Sequence, residues 1–319
     1  MRRLASLAVL IVCFAATACA PRLQHPGIEP QHPDLQIETE QPGFVMDDGV
    51  RLPARIWRPE GEVKAVMLAL HGFNLYSRIF EEPAEKWAER GILTITYDQR
   101  GFGDTPERGI WPGTGRMIRD LEIAAGLVRR QYPDVPLVLL GDSMGGAVVL
   151  AANASSDPPD ADGLVLVAPA VWGREAMPFY QTAGLWFFAH TLPWLEVTGQ
   201  HLNRAPTDNI DLLRQLGRDP LVIFRTRIDV LWGLVNLMDA GRAAVPAIDR
   251  PTLVLYGAKE DILPEQAWRD AFKALPKDKD TTLTVYSGGF HMLLHDLEAD
   301  AVIDDITAFT LTRKAPARE

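Results

Sequence analysis

The stretch Gly141-Asp142-Ser143-Met144-Gly145-Gly146 decides the fold of this chain. It follows an apolar run, Leu137–Leu140, and precedes small apolar residues at 147–152. That succession predicts a strand, a sharp turn and a helix. A G-x-S-x-G pattern at such a junction is typical of a turn that exposes a nucleophilic serine. We expect Ser143 to be strained and the glycines to be required because a Cβ would collide with the neighbouring strand or helix. The alternative is a glycine-rich turn whose serine has no chemical role.

A base for this serine is expected later in the chain, after an acidic residue. His291 follows the β-like run 283–286 and is therefore predicted on a loop at the carboxyl end of a strand. Open α/β sheets bind ligands at that edge, which favours His291 as the base. His295, one helical turn later, is interpreted as a surface or capping residue.

The acid is expected in the loop Gly257–Pro264, which follows another apolar strand. Glu260 and Asp261 are adjacent there, and only one of them can orient the imidazole and stabilise its protonated form. The other is interpreted as a solvated charge or a helix N-cap.

Two backbone N–H groups are needed to hold the oxyanion of an acyl-transfer reaction. One is predicted at Met144, directly after the serine. The other is predicted at Phe73, in the His71-Gly72-Phe73 turn that follows the apolar run Val66–Leu70. His71 is interpreted as a structural residue that holds this loop.

These features together resemble the α/β-hydrolase superfamily, and within it the monoacylglycerol lipase and lysophospholipase-like group, which is also classified with serine aminopeptidases. The resemblance spans roughly residues 42–312 and rests on five motifs, namely His71–Phe73, Asp98–Gly103, Gly141–Gly146, Gly257–Pro264 and Gly289–His291. It implies an α/β fold with a mostly parallel sheet flanked by helices and a helical cap inserted between strands.

The chain departs from this group at two positions. The residue before the nucleophile is usually histidine and is Asp142 here. The acid loop of the group reads Gly-x-x-Asp with a proline four residues after the aspartate. Counting from Gly257 and from Pro264 puts Glu260 in that position. The register therefore favours Glu260 as the acid, with Asp261 as the alternative.

Composition limits the partners. The chain has 319 residues, 47% of them hydrophobic, and a formal net charge of −10. That charge argues against binding nucleic acid and against electrostatic attraction to anionic lipid. No cluster of cysteines and histidines predicts a metal site, and the expected chemistry needs no cofactor.

The N-terminus is predicted to be a targeting signal. Arg2-Arg3 precedes the apolar stretch Leu4–Ala15, which is too short to span a bilayer. The small residues Ala16–Ala18 then precede Cys19, a pattern that resembles a bacterial lipobox with Cys19 as the acylated residue. We expect an exported lipoprotein, anchored in a membrane and facing the periplasm or the cell exterior. A soluble secreted form is the alternative.

The domain organisation follows from the pattern of elements. Residues 1–18 are predicted as the signal peptide and 19–41, rich in proline, histidine and glutamine, as a flexible tether. An Asp48-Gly49 hairpin signal opens the domain. Apolar strands alternating with helices then predict a parallel sheet covered on both faces. The predicted parts are 42–170 for the first part of the core, 171–249 for a helical cap or lid, and 250–319 for the second part of the core.

The predicted cap contains an aromatic stretch, Met177–Leu195, without a formally charged residue. A membrane span is disfavoured because Pro178, Gly184 and Pro193 interrupt it. Two interpretations remain: the side chains pack the cap onto the core, or they line an acyl-chain pocket or contact lipid.

The sequence therefore predicts a serine hydrolase that cleaves carboxylic esters with an apolar acyl chain. The resemblance implies a monoacylglycerol or lysophospholipid substrate. One alternative is a peptidase or amidase of the serine aminopeptidase type, since the same triad can cleave amides. The other is a non-catalytic binding lipoprotein on the same scaffold.

Overall fold

A computed structural model of the protein describes residues 20–27, 31–199 and 204–315. In these residues a nine-stranded sheet has the order β1-β2-β3-β5-β4-β6-β7-β10-β11. The strands are β1 (Asp34–Gln36), β2 (Gly43–Val45), β3 (Arg51–Trp57), β4 (Ala65–Leu70), β5 (Ile92–Tyr97), β6 (Leu137–Asp142), β7 (Gly163–Val167), β10 (Thr252–Gly257) and β11 (Thr281–Tyr286). From β5 to β11 the neighbours are parallel, which confirms the predicted fold class.

Helices cover both faces of this sheet. They are α1 (Glu81–Ala88), α2 (Thr114–Gln131), α3 (Met144–Asn153), α4 (Phe179–Thr191), α5 (Ile210–Leu216), α6 (Ile228–Ala244), α7 (Glu265–Phe272) and α8 (Ala299–Leu311). Every residue of β4, β5, β6, β7 and β10 is buried. A strand buried on both faces reads as a continuous apolar run, which is the reason that the sequence pattern located these strands.

The Asp48-Gly49 turn joins β2 to β3 as predicted. The two strands are antiparallel, with Val45 opposite Arg51. Gly49 has a φ of 78°, a left-handed conformation that glycine adopts without steric cost. This hairpin adds antiparallel strands to one edge of the sheet.

The segment before the hairpin differs from the flexible tether that its composition predicts. β1 pairs with β2 and becomes the edge strand. Nearer the N-terminus, Leu23 forms a bridge with Trp111, and the backbone N–H of Gln24 donates to the Trp111 carbonyl. Arg22 donates through its backbone N–H to Asp229. These contacts come from residues distant in the chain, so composition could not reveal them. The predicted signal peptide and Cys19 lie outside the described residues.

The chain between β7 and β10 carries α4, α5 and α6. It also contains a short antiparallel pair, β8 (Glu196–Val197) with β9 (Thr226–Arg227), within the segment that we predicted as a helical cap. α6 packs on α3, and a Cβ built on Gly241 would lie 3.1 Å from the Cβ of Ala147. Its Val235 and Met238 are buried.

Helix α4 and the residues after it expose their large apolar side chains. Phe179 is 84% exposed. At least a third of the surface is also exposed for Tyr180, Trp186, Phe187, Phe188, Leu192, Trp194 and Leu195. We call these eight residues the aromatic surface. Packing of the cap onto the core does not account for these eight side chains. Within the described chain, no helix combines the length and hydropathy needed to cross a bilayer.

Candidate active site

Ser143 lies in the sharp turn between β6 and α3. Its φ of 51° and ψ of −109° form a strained conformation for a residue with a side chain. A Cβ on Gly145 would lie 2.2 Å from the Leu70 carbonyl oxygen, and one on Gly141 would lie 2.5 Å from Gly145. The glycines are therefore required by close approach of the strand and the helix, as the motif predicts.

Three side chains from three loops meet at this turn. The Oγ atom of Ser143 lies 3.0 Å from Nε2 of His291. The Nδ1 atom of His291 lies 2.6 Å from Oε2 of Glu260. In the tautomer with a proton on Nδ1, His291 donates to Glu260 and accepts from the serine hydroxyl. We call Ser143, His291 and Glu260 the row. Their contacts are those that a nucleophile, a base and an orienting acid require.

The structure separates the two adjacent carboxylates. The Glu260 side chain is 2% exposed, and its other oxygen accepts hydrogen bonds from the backbone N–H groups of Ile262 and Leu263. The Asp261 side chain is 41% exposed and pairs with Arg204 at 2.6 Å. Glu260 is therefore the carboxylate directed at His291.

The predicted oxyanion loop follows β4. The N–H of Phe73 has no backbone acceptor among the described residues. Met144 is the first residue of α3, so its N–H belongs to the first turn of the helix, where amides have no intrahelical acceptor. A Cβ on Gly72 would lie 3.4 Å from the Cβ of Ser143, so the loop passes close to the serine.

His71 holds this loop through Gln99, in agreement with the structural role that we predicted. The backbone N–H of Gln99 donates to Nε2 of His71 over 3.0 Å, and the Gln99 side-chain amide donates to the His71 carbonyl over 2.8 Å. The Nδ1–H of His71 donates to the Gly72 carbonyl. Burial lowers the pKa of His71, which keeps the ring in the neutral form that this arrangement needs.

Sequence reasoning assigned no role to Gln99 or Asp296. Asp296 accepts a hydrogen bond of 2.7 Å from the backbone N–H of Phe290 and so restrains the loop that carries His291. Gln99 lies within the motif Asp98–Gly103, but its contact with His71 becomes visible only when β4 and β5 are adjacent. No sequence pattern around Asp296 indicates its contact with this loop.

The interpretation of His295 as a surface or capping residue is wrong. The residue is 6% exposed, and burial lowers its pKa to about 4. The cause is the chain after His291, which turns inward and places Leu293 and Leu294 in the core. A sequence pattern of mixed polarity did not reveal that turn.

Burial and nearby charges change the pKa values of His291 and Asp142. Burial alone lowers the pKa of His291, but the charge and hydrogen bond of Glu260, with smaller effects from Asp142 and Asp296, raise it above its usual value. Burial raises the pKa of Asp142 to about 7. Among the described residues, no group of three or more potential ligands could hold a metal ion.

The sheet order, the strained serine turn and the loops that carry Glu260 and His291 define the protein as an α/β-hydrolase. The family model described as serine aminopeptidase, S33, matches residues 61–298. The chain belongs to this family.

Several relatives share most of their length with the chain. Human monoglyceride lipase is 29% identical over 285 residues, which cover 86% of this chain and 92% of the human protein. The monoacylglycerol lipase of Mycolicibacterium smegmatis is 24% identical and covers 83% of this chain and 94% of its own. The family and these relatives confirm the prediction of a carboxylic ester hydrolase.

Solved structures show the same fold. A soluble variant of monoglyceride lipase from Saccharomyces cerevisiae, in complex with a substrate analogue, matches with a TM-score of 0.71 and 21% identity. That match covers 91% of this chain and 98% of the yeast chain. The monoacylglycerol lipase of Paleococcus ferrophilus matches with a TM-score of 0.69 and 21% identity, over 82% and 98% of the two chains.

Proposed function

We propose that the protein cleaves esters of an apolar acyl chain through a covalent acyl-enzyme on Ser143. The observation that carries this proposal is the unbroken row of hydrogen-bond contacts from Ser143 through His291 to Glu260. The strained turn supports the same role because it presents the hydroxyl at the N-terminus of α3, where developing negative charge is favoured.

Acylation begins with attack of the Ser143 oxygen on the ester carbonyl carbon. His291 accepts the serine proton at Nε2, and Glu260 stabilises the resulting imidazolium. The backbone N–H groups of Phe73 and Met144 stabilise the oxyanion. The tetrahedral intermediate then loses the alcohol, which takes its proton from His291.

Deacylation repeats these steps with water. His291 removes a proton from the water molecule as its oxygen attacks the acyl carbon. Collapse of the second intermediate releases the carboxylic acid and returns the proton to Ser143. No other group is needed to balance these steps.

The substrate class that we propose is a monoacylglycerol or a lysophospholipid. The names of the relatives in humans and in Mycolicibacterium smegmatis support an acylglycerol. The aromatic surface supports a lipid because water-exposed apolar side chains of this extent mark contact sites.

A panel of substrates tests this function. Purified protein should hydrolyse monoacylglycerols or lysophospholipids with a preference for medium or long chains over acetyl, since each buried methylene contributes roughly 0.8 kcal/mol. Aminoacyl anilides test the alternative of peptidase or amidase activity, which the family description raises. If no ester or anilide is cleaved, the non-catalytic alternative gains support.

We also propose that the protein is an exported lipoprotein. The support is the sequence pattern around Cys19, which lies outside the described residues. An acyl anchor at Cys19 and the aromatic surface would together hold the enzyme at a membrane, which is where its proposed substrate lies. A soluble secreted form is the alternative.

A further inference from the structure

Asp142 is a buried carboxylic acid next to the nucleophile, at the position where histidine is usual in the group that the sequence resembles. It is the last residue of β6 and is 5% exposed. A Cβ built on Gly72 would lie 3.3 Å from its Oδ2 atom, so the side chain lies against the oxyanion loop. No hydrogen bond from any described residue stabilises its charge. Ionisation of a carboxyl with so little exposure to water is costly, so its place beside the nucleophile requires an explanation.

Two titratable groups act on Asp142, and both belong to the proposed catalytic row. The positive charge of His291 favours the ionised carboxyl, and the negative charge of Glu260 opposes it. The effect on His291 is reciprocal, because the charge of Asp142 favours the imidazolium, as do Glu260 and Asp296. His71, in the same loop as Gly72, interacts instead with Asp98. The geometry agrees, because a Cβ built on Gly72 would lie 3.3 Å from Oδ2 of Asp142 and 3.4 Å from the Cβ of Ser143. The Oγ atom of Ser143 in turn lies 3.0 Å from Nε2 of His291, so the Asp142 carboxyl lies close to the charge that forms on His291.

We propose that Asp142 is a positioning residue whose negative charge, acting through His291, stabilises the imidazolium and sets the pH range in which the base is available. This inference rests on the proposed role of His291 as the general base. Among the described residues, Asp142 makes no hydrogen bond to the row. It affects the row only because its carboxyl is buried beside it.

The coupling has a definite consequence for titration. Burial places the pKa of Asp142 at about 7, and its neighbour His291 has a raised pKa. Opposite charges stabilise the state with Asp142 ionised and His291 protonated. The two protons therefore leave in two steps whose pKa values are shared by Asp142 and His291. The second step, which leaves His291 neutral, occurs at a higher pH than it would for His291 alone.

The test measures the pH dependence of the second-order rate constant for inactivation by a fluorophosphonate. This reagent reports the availability of the base without depending on which ester is the substrate. On the acidic side of the profile, the rate constant rises as His291 loses its proton, and we call this rise the acidic limb. In Asp142→Asn, which keeps the size of the side chain, the midpoint of the acidic limb should move to lower pH by about 1 unit. That is the size typical of the effect of a nearby opposite charge. The acidic limb of the variant should also fit a single ionisation, whereas that of the wild type should require two.

Asp261→Asn is the matched control. It removes a carboxylate one residue from Glu260, but Asp261 is directed at Arg204. Its limb should coincide with that of the wild type. Asp142→Ser is a second variant that also removes the charge, so the measurement remains possible if the asparagine variant does not fold.

The outcomes separate this inference from the proposed function. If the wild type is not labelled at Ser143, the proposed function fails. If the wild type is labelled and the Asp142 variants keep its acidic limb while only their plateau or substrate KM changes, the inference is wrong. Asp142 then contacts substrate or supports the loop without affecting His291. A shift of equal size in Asp261→Asn would also overturn it, because general loss of negative charge would explain both.

Discussion

The Nδ1 atom of His291 lies 2.6 Å from a carboxylate oxygen of Glu260, although the two residues are on loops that follow different strands. Parallel pairing of β10 with β11 brings these loops together at one edge of the sheet. The second oxygen of Glu260 is held by two backbone N–H groups, so the carboxylate is fixed before any substrate binds.

This relationship makes the two adjacent acids separable by mutation. Glu260→Gln should keep the shape of the loop but remove the charge that stabilises the imidazolium. We expect a loss of up to roughly 10⁴-fold in kcat, as for the comparable change in other triads. Asp261→Asn should cost little, because its partner is Arg204. Steady-state kinetics on one soluble ester, with folding checked by circular dichroism, measure both, and the reverse ranking would assign the role to Asp261.

Ser143→Ala should abolish both hydrolysis and covalent labelling. The expected loss in kcat is on the order of 10⁶-fold, the size measured when the nucleophile of another serine hydrolase is removed. Intact mass spectrometry after fluorophosphonate treatment detects the adduct on the wild type. An adduct that persists in the variant would identify a different nucleophile.

The aromatic surface should bind uncharged bilayers. Phe179→Ser together with Phe187→Ser should weaken binding to phosphatidylcholine vesicles by at least tenfold, since burying one such side chain contributes about 1.5–3 kcal/mol. Leu297→Ser is the control, because Leu297 is 73% exposed and lies outside this surface. Vesicle co-sedimentation of the protein lacking its lipid anchor measures the difference. Equal binding by all three proteins would contradict a lipid-contacting role.

Lipidation at Cys19 is expected to anchor the protein independently of that surface. Metabolic labelling with a clickable fatty acid should mark the wild type, and Cys19→Ala should prevent it. Fractionation of cells then tests whether the variant leaves the membrane. An unmodified Cys19 in the intact mass of the mature protein would favour the soluble secreted form.

Asp142 should also make stability depend on pH. Burial raises its pKa from an ordinary value of 3.8 to about 7. The folded state therefore holds a proton that the unfolded state has lost between these values, and this stabilising effect disappears as the pH rises through 7. Between pH 5 and pH 8.5 the wild type should lose stability on the order of 3 kcal/mol relative to Asp142→Asn, which has no such proton.

Urea denaturation of both proteins at the two pH values measures this difference. The free energy of unfolding of the variant should exceed that of the wild type by more at pH 8.5 than at pH 5. A difference between the two proteins that does not change with pH would mean that Asp142 has an ordinary pKa in the folded state.

The sequence by itself determined the apolar strands of the parallel sheet, the serine turn and the loops that carry the base and the acid. These features have local causes. The buried strands are continuous apolar runs, and the turn at Ser143 needs glycines wherever a Cβ would meet Leu70 or the start of α3. Comparison of Gly257, Glu260 and Pro264 with the acid loop of the resembled group favoured Glu260, and the structure directs this carboxylate at His291.

Only the tertiary structure decided which neighbours these residues meet. Asp261 pairs with Arg204, which is distant in the chain, while Glu260 contacts His291. Trp111 docks an N-terminal segment that its composition predicted to be flexible. Burial makes His295 neutral and raises the pKa of Asp142 to about 7. Each result depends on packing between distant segments, because desolvation and charge act through space and leave no periodic pattern in the sequence.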